Sequence, residues 1–123
     1  MLGGSMGEYN KRKIGSEKEK VAASYLINQG YSIVEMNFFS RNGEIDIIAR
    51  DANYLVFVEV KYRKDQKLGF AVEAVNYGKI QSIIRTARYY MYSHGYAEDT
   101  PCRFDVVAIQ GSEVSLIQNA FGQ

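Results

Sequence analysis

Two carboxylates stand inside runs that otherwise read as buried strand: Asp46 between Ile45 and Ile47, and Glu59 between Val58 and Val60. An ionised carboxylate is costly to desolvate unless donors or a cation meet it, so each of these residues needs a partner. The runs, about Glu44 to Arg50 and Tyr54 to Tyr62, are joined only by Asp51, Ala52 and Asn53, which makes them a hairpin. With Ala52 and Asn53 as the turn, Asp46 opposes Glu59 and Glu44 opposes Lys61. Opposed side chains share a face with their Cβ atoms about 4.5–5.5 Å apart, so two acids and an ammonium crowd one end of the hairpin. Ile48, Leu55 and Phe57 fall on that face, and Ile45, Ile47, Val56, Val58 and Val60 on the other. Both faces are largely apolar, as in a strand covered on each side.

Like charges this close repel, and either one takes up a proton or a cation sits between them. A hard divalent ion, Mg²⁺ or Mn²⁺, suits the second outcome. It binds one or two carboxylates and completes its shell with water and phosphate oxygens. Lys61, on the same face, could then hold a phosphate oxygen or orient an attacking water. The chemistry is metal-assisted phosphodiester hydrolysis. The plainer reading is a solvated strand edge in which Glu44 and Lys61 form a surface ion pair worth little.

The elements that must position these groups follow along the chain. Ser16-Glu-Lys-Glu19 has capping-box spacing, and Val21, Ala22, Tyr25 and Leu26 continue with helical periodicity to Gly30, predicting a helix over about Ser16 to Gln29. Tyr31 to Phe39 reads as a strand that turns at Ser40-Arg-Asn-Gly43 into the hairpin. Asn76 can cap a second helix with Ile80, Ile83, Ile84, Ala87 and Met91 on one stripe, ending at His94-Gly95. Strands are expected over Arg103 to Gln110 and Glu113 to Gln118. The expected fold class is α/β (α+β): a mixed sheet flanked by helices.

Composition sets wide bounds. The 123 residues suit one domain, with 46% hydrophobic and 24% charged residues. Residues 1–10 are expected to be disordered, and 11–123 to form the domain. The opening Met1-Leu-Gly-Gly-Ser5 before Met6 reads as an expression remnant. No apolar run approaches the roughly 18 residues of a membrane span, so no membrane partner is expected. The single cysteine, Cys102, precludes an internal disulfide and fits a reducing cytoplasm. A net charge of +1 offers no bulk attraction to nucleic acid, so contact with a polyanion would need a local patch.

Asp46 with Glu59-Val60-Lys61 resembles the active-site motif of the PD-(D/E)xK nuclease superfamily, which includes restriction endonucleases and Holliday-junction resolvases. A fuller likeness runs through Gly15, Glu19, Ala22, Tyr25-Leu26, GEIDIIARD, LVFVEVKYR, Lys79, Ala87, RFDVVAI and Asn119-Ala120-Phe121. Together these are similar to the bacterial YraN-like family. The resemblance implies a restriction-endonuclease-like αβββαβ core. In it Asp46, Glu59 and the Val60 carbonyl hold Mg²⁺ or Mn²⁺, Lys61 is the catalytic lysine, and Glu19 joins from the first helix. Lys18 departs from the family, where glycine is common. Glu19 precedes Ala22, Ala23 and Leu26 at helical spacing and so faces the sheet, although it equally fits a capping-box partner of Ser16.

Arg63, Lys64 and Lys67 follow Lys61 as a basic run, and Lys79, Arg85 and Arg88 add charge to the second helix. Arg63, Lys64 and Lys79 are the expected nucleic-acid contacts, against the commoner meaning of a solvated face. Tyr25, Tyr54, Tyr89 and Tyr90 are expected in the core or at its margin. Asp105 is expected to pair with Arg103, and His94 to interact with a helix end. The first functional reading is a metal-dependent endonuclease acting on DNA or structured nucleic acid. A twofold homodimer would serve double-strand cutting. The alternatives are a non-catalytic nucleic-acid-binding module of the same fold, and a scaffold whose hairpin charges are only ion-paired.

Overall fold

The computed structural model describes residues 6–63 and 77–121, with side chains from Ser16 onward. In chain order the elements are α1 (Met6–Asn28), β1 (Ser32–Ser40), β2 (Gly43–Asp51), β3 (Tyr54–Arg63), α2 (Tyr77–Ser93), β4 (Cys102–Gln110) and β5 (Glu113–Phe121). The strands form one sheet in sequence order, antiparallel throughout except for the parallel pair β3 and β4, whose connection contains α2. This is a mixed α+β fold in the expected αβββαβ order, with a fifth strand added.

α1 packs Ala22 and Leu26 on one face of the sheet, against Ile47, Ala49, Val56, Val58, Val107 and Ile109. α2 packs Ile83, Ala87 and Tyr90 on the other face, against Ile48, Leu55, Phe57 and Phe104. Covering both faces accounts for the nearly unbroken apolar runs of β2 and β3. α1 ends where Gly30 adopts φ 100° and the Tyr31 N–H donates to the Leu26 carbonyl at 2.9 Å, a Schellman closure.

α1 begins at Met6 rather than Ser16, and so enters the stretch 1–10 expected to be disordered. Lysine and arginine at 11–13 are good helix formers and carry the helix through Gly15. Ser16 therefore lies inside the helix and cannot serve as its N-cap. Residues 1–5, Lys64, Lys67 and the capping Asn76 lie outside the described residues.

The hairpin takes the expected register around Ala52 and Asn53, from Asp51 opposite Tyr54 to Ile47 opposite Val58. The expected opposed pairs, Asp46 with Glu59 and Glu44 with Lys61, lie beyond the end of that ladder, where the Asp46 side chain bonds the Val60 N–H instead. Ala52 takes φ 56°. On its other side β2 pairs with β1, whose register shifts between Ile33 and Glu35, and further along β1 Asn37 adopts a left-handed φ of 57°. Ile45, expected on the face of Ile47, joins the α2-side cluster instead, beyond the point where β2 leaves its ladder with β3. A second left-handed asparagine, Asn119 at φ 53°, lies where β5 shifts register against β4. Among the described residues no helix is long and apolar enough to cross a membrane.

Candidate active site

The β2–β3 ladder stops at Ile47 and Val58, whereas β3 stays paired with β4 as far as Arg63. Past that point a side chain takes over from the ladder: the Val60 N–H donates to Asp46 Oδ2 at 2.8 Å. Asp46 is 8% exposed and Glu59 4%. Burial, and next the Glu59 carboxylate, push the Asp46 carboxyl up to about 8; the Val60 amide opposes this, and Glu19 and Glu44 add to it.

Glu59 has cationic neighbours. Its Oε2 lies 3.5 Å from Lys61 Nζ and 3.4 Å from Lys79 Nζ. These separations exceed the roughly 2.7–2.9 Å of a charge-assisted hydrogen bond. Lys61 thus faces Glu59 rather than the expected Glu44. Lys79, expected to contact nucleic acid, reaches from the first turn of α2 to Glu59 on β3.

Glu19 arrives from α1. Burial raises its pKa first, hydrogen bonding to Asn37 and to Asp46 lowers it, and the Glu44 and Glu59 charges raise it again. With Ser16 within the helix, the capping-box alternative is removed. Asp46, Glu59, Lys61 and Glu19 thus gather where β2 and β3 separate, beneath α1 on one side and α2 on the other. Of Val60 the observed role is its N–H on Asp46. Among the described residues no group of three or more His, Cys, Asp or Glu side chains is arranged to hold a metal as it stands. Arg63, at the end of β3, is exposed but engaged within the fold.

Residues 18–109 match the model of the family described as "Uncharacterised protein family UPF0102". The chain belongs to the UPF0102 family. This is the family behind the YraN-like resemblance, and the match spans Glu19, Asp46, Glu59, Lys61 and Lys79. A UPF0102 protein of Lachnoclostridium phytofermentans is 51% identical over 112 residues, covering 91% of this chain and 95% of the relative. One from Vibrio vulnificus is 46% identical over 121 residues, covering 96% and 99%. One from Thermodesulfovibrio yellowstonii is 44% identical over 109 residues, covering 89% and 96%.

Two contributors to this UPF0102 site escape a reading of the sequence. Asn37 lies in a run of strand formers, and the only hint is that asparagine tolerates the left-handed region better than its neighbours. Lys79 was legible as a cation but not as a partner of Glu59, because that contact joins α2 to β3. The tyrosines also divide: Tyr90 is core, whereas Tyr54 and Tyr89 are exposed. Asp105 has no exposed surface and pairs with Arg103, as expected (Nε to Oδ1, 3.0 Å). It also accepts from the Tyr31 hydroxyl at 2.7 Å and the Asn119 N–H at 2.9 Å. His94 Nδ1 lies 2.9 Å from the Tyr90 carbonyl at the end of α2.

Proposed function

We propose that this UPF0102 protein is a divalent-metal-dependent nuclease of the PD-(D/E)xK type, hydrolysing phosphodiester bonds in DNA or structured nucleic acid. The observation that carries the reading is the buried carboxylate pair. Burial first, and the Glu59 carboxylate next, push the Asp46 carboxyl up to about 8, at the point where the hairpin opens.

Hard oxygen donors in a repelling pair fit Mg²⁺ or Mn²⁺, which would displace the proton from Asp46. Asp46 and Glu59 would hold the ion, with Glu19 assisting, and the ion would polarise the phosphoryl group and lower the pKa of its water. Glu59's ion pairs with Lys61 and Lys79 are long, and Lys79 is partly exposed, so both cations can move off the carboxylate. Lys61 would then stabilise the charge developing on the phosphate. The Val60 N–H fixes the orientation of Asp46. The reducing cytoplasm suits both such a substrate and the free thiol of Cys102.

A second reading is a nucleic-acid-binding module that keeps this fold without hydrolysing. It is favoured by Glu59 already facing two ammonium groups. Calorimetry with Mn²⁺ and incubation with branched, single-stranded and duplex DNA and with RNA separate the two. The nuclease reading expects Mn²⁺ binding lost in Asp46→Ala and cleavage lost in Glu59→Ala. Wild type leaving every substrate as intact as Glu59→Ala does would overturn it.

A further inference from the structure

One helix carries positive charge with no acid to balance it. α2 contains Lys79, Arg85 and Arg88 and no acidic residue, in a protein whose net charge is +1. Arg85, Arg88, Tyr89 and Tyr92 follow at the i, i+3, i+4, i+7 spacing of one helical stripe, and all four are exposed. Tyr89 is 47% and Tyr92 84% exposed. A merely solvated face would mix charges of both signs and would not present two large aromatic rings to water.

The stripe borders a cleft of about 650 Å³ between α2 and the β1–β2 hairpin, lined in part by Phe38, Phe39, Arg41, Tyr89 and His94. Phe39 is 65% exposed. The cleft is held open by a fixed hairpin tip, since Ser82 Oγ donates to the Asn42 carbonyl at 2.7 Å. Arg41 at that tip adds a further exposed cation. At about 1.5 Å rise per residue, Arg85 lies about 9 Å and Tyr92 about 20 Å along the axis from Lys79, which touches Glu59. The stripe therefore leads away from the acidic site.

We propose that this outer face of α2 and its cleft bind an unpaired nucleic-acid strand. Bases stack on Tyr89, Tyr92 and Phe39, and phosphates meet Arg41, Arg85 and Arg88. Exposed rings interleaved with cations suit a single strand, whose bases offer their faces; a duplex hides them. The proposal rests on the preceding reading only for taking nucleic acid as the ligand. It adds the substrate class: strands with an unpaired segment beside the scissile bond.

The test is fluorescence anisotropy of the full chain with an end-labelled oligothymidylate and with a duplex of equal length, in EDTA so that nothing is cut. The single strand should bind more tightly. Tyr89→Ala and Tyr92→Ala should each weaken it about five-fold or more without changing the salt slope, and Tyr→Phe at either position should retain it. Arg85→Ala combined with Arg88→Ala should reduce the slope of log K against log salt by about 1.4, two phosphate contacts on a single strand. Duplex binding as tight as single-strand binding, variants indistinguishable from wild type, or displacement of the strand by polyglutamate at equal concentration would each overturn the proposal. Asp46→Asn should bind normally. If that variant also cuts like wild type, the hydrolytic reading fails while this one stands; if the stripe variants bind normally, this one fails alone.

Discussion

The Val60 amide donates to Asp46 Oδ2 at 2.8 Å just past the end of the β2–β3 ladder, so a carboxylate occupies the bonding position a strand would otherwise fill. The arrangement is stiff, because β4 holds β3 from its other side through Arg63. It is also electrostatically unfavourable, since the same carboxylate is buried beside Glu59.

The pH dependence of stability should report this directly. Folding raises the Asp46 carboxyl to about 8, so between about pH 4 and pH 8 the native state binds more protons than the unfolded chain. Stability from this group falls through that window as pH rises. Asp46→Asn keeps an acceptor for Val60 and removes the titration. The variant should be more stable than wild type at pH 8, by about 1–3 kcal/mol, with the difference vanishing near pH 4. Urea denaturation at both pH values checks it.

Lys61 can be separated from metal binding. Under the proposed function Lys61→Met should lower the cleavage rate at least about 10²-fold, the usual cost of losing one transition-state stabiliser. Mn²⁺ binding should be retained or tightened, since an ammonium 3.5 Å from Glu59 has been removed. Calorimetry beside single-turnover cleavage distinguishes the two effects.

Asn37 should tolerate glycine and resist valine. At φ 57° a β-branched residue is strained by about 1–2 kcal/mol or more, whereas glycine is unstrained there. Both substitutions remove the amide that favours ionised Glu19, so both should raise the Glu19 pKa further. Carboxyl NMR titration of the two variants, with thermal melts, tests each half.

Gly43 should not accept a side chain. A Cβ there would collide with Ser82 Oγ and approach Thr86 Oγ1 to 3.2 Å, on a backbone at φ 145°. Gly43→Ala should cost about 1–3 kcal/mol. Adding Ser82→Ala should recover only part, because the backbone strain remains. A double-mutant cycle by urea denaturation measures the split.

Arg103 should be the costliest surface-proximal residue to remove. It bonds both Asp105 oxygens at 3.0 Å and Asp51 Oδ2 at 2.8 Å. Arg103→Ala strands a fully buried carboxylate and should cost about 3–5 kcal/mol. Tyr31→Phe, which removes one neutral donor to the same acid, should cost about 1–2 kcal/mol. Chemical denaturation ranks the two.

What the sequence made legible was local. Strand alternation and a two-residue turn were enough to set Asp46 near Glu59, and the helical stripe was enough to bury Ile83 and Ala87. What it hid depends on contacts between distant elements. β2 leaves its ladder with β3 beyond Ile47 and Ile45 packs on the other face, but nothing in a short apolar alternation reveals such a break. Lys79 meets Glu59 only once α2 crosses the sheet. Tyr89 and Tyr90 both sit in a patterned helix, yet a helix turns about 100° per residue, and Tyr90 is buried against Phe38 while Tyr89 is 47% exposed.

The two outermost strands each contain an asparagine with reversed handedness, Asn37 in β1 bonded to Glu19 and Asn119 in β5 bonded through its N–H to the buried Asp105. A visiting strand that docked along either border would meet a break in the row of amides and carbonyls it must match. The residues that shape the protein's acidic interior therefore also guard it against edge-to-edge association and aggregation.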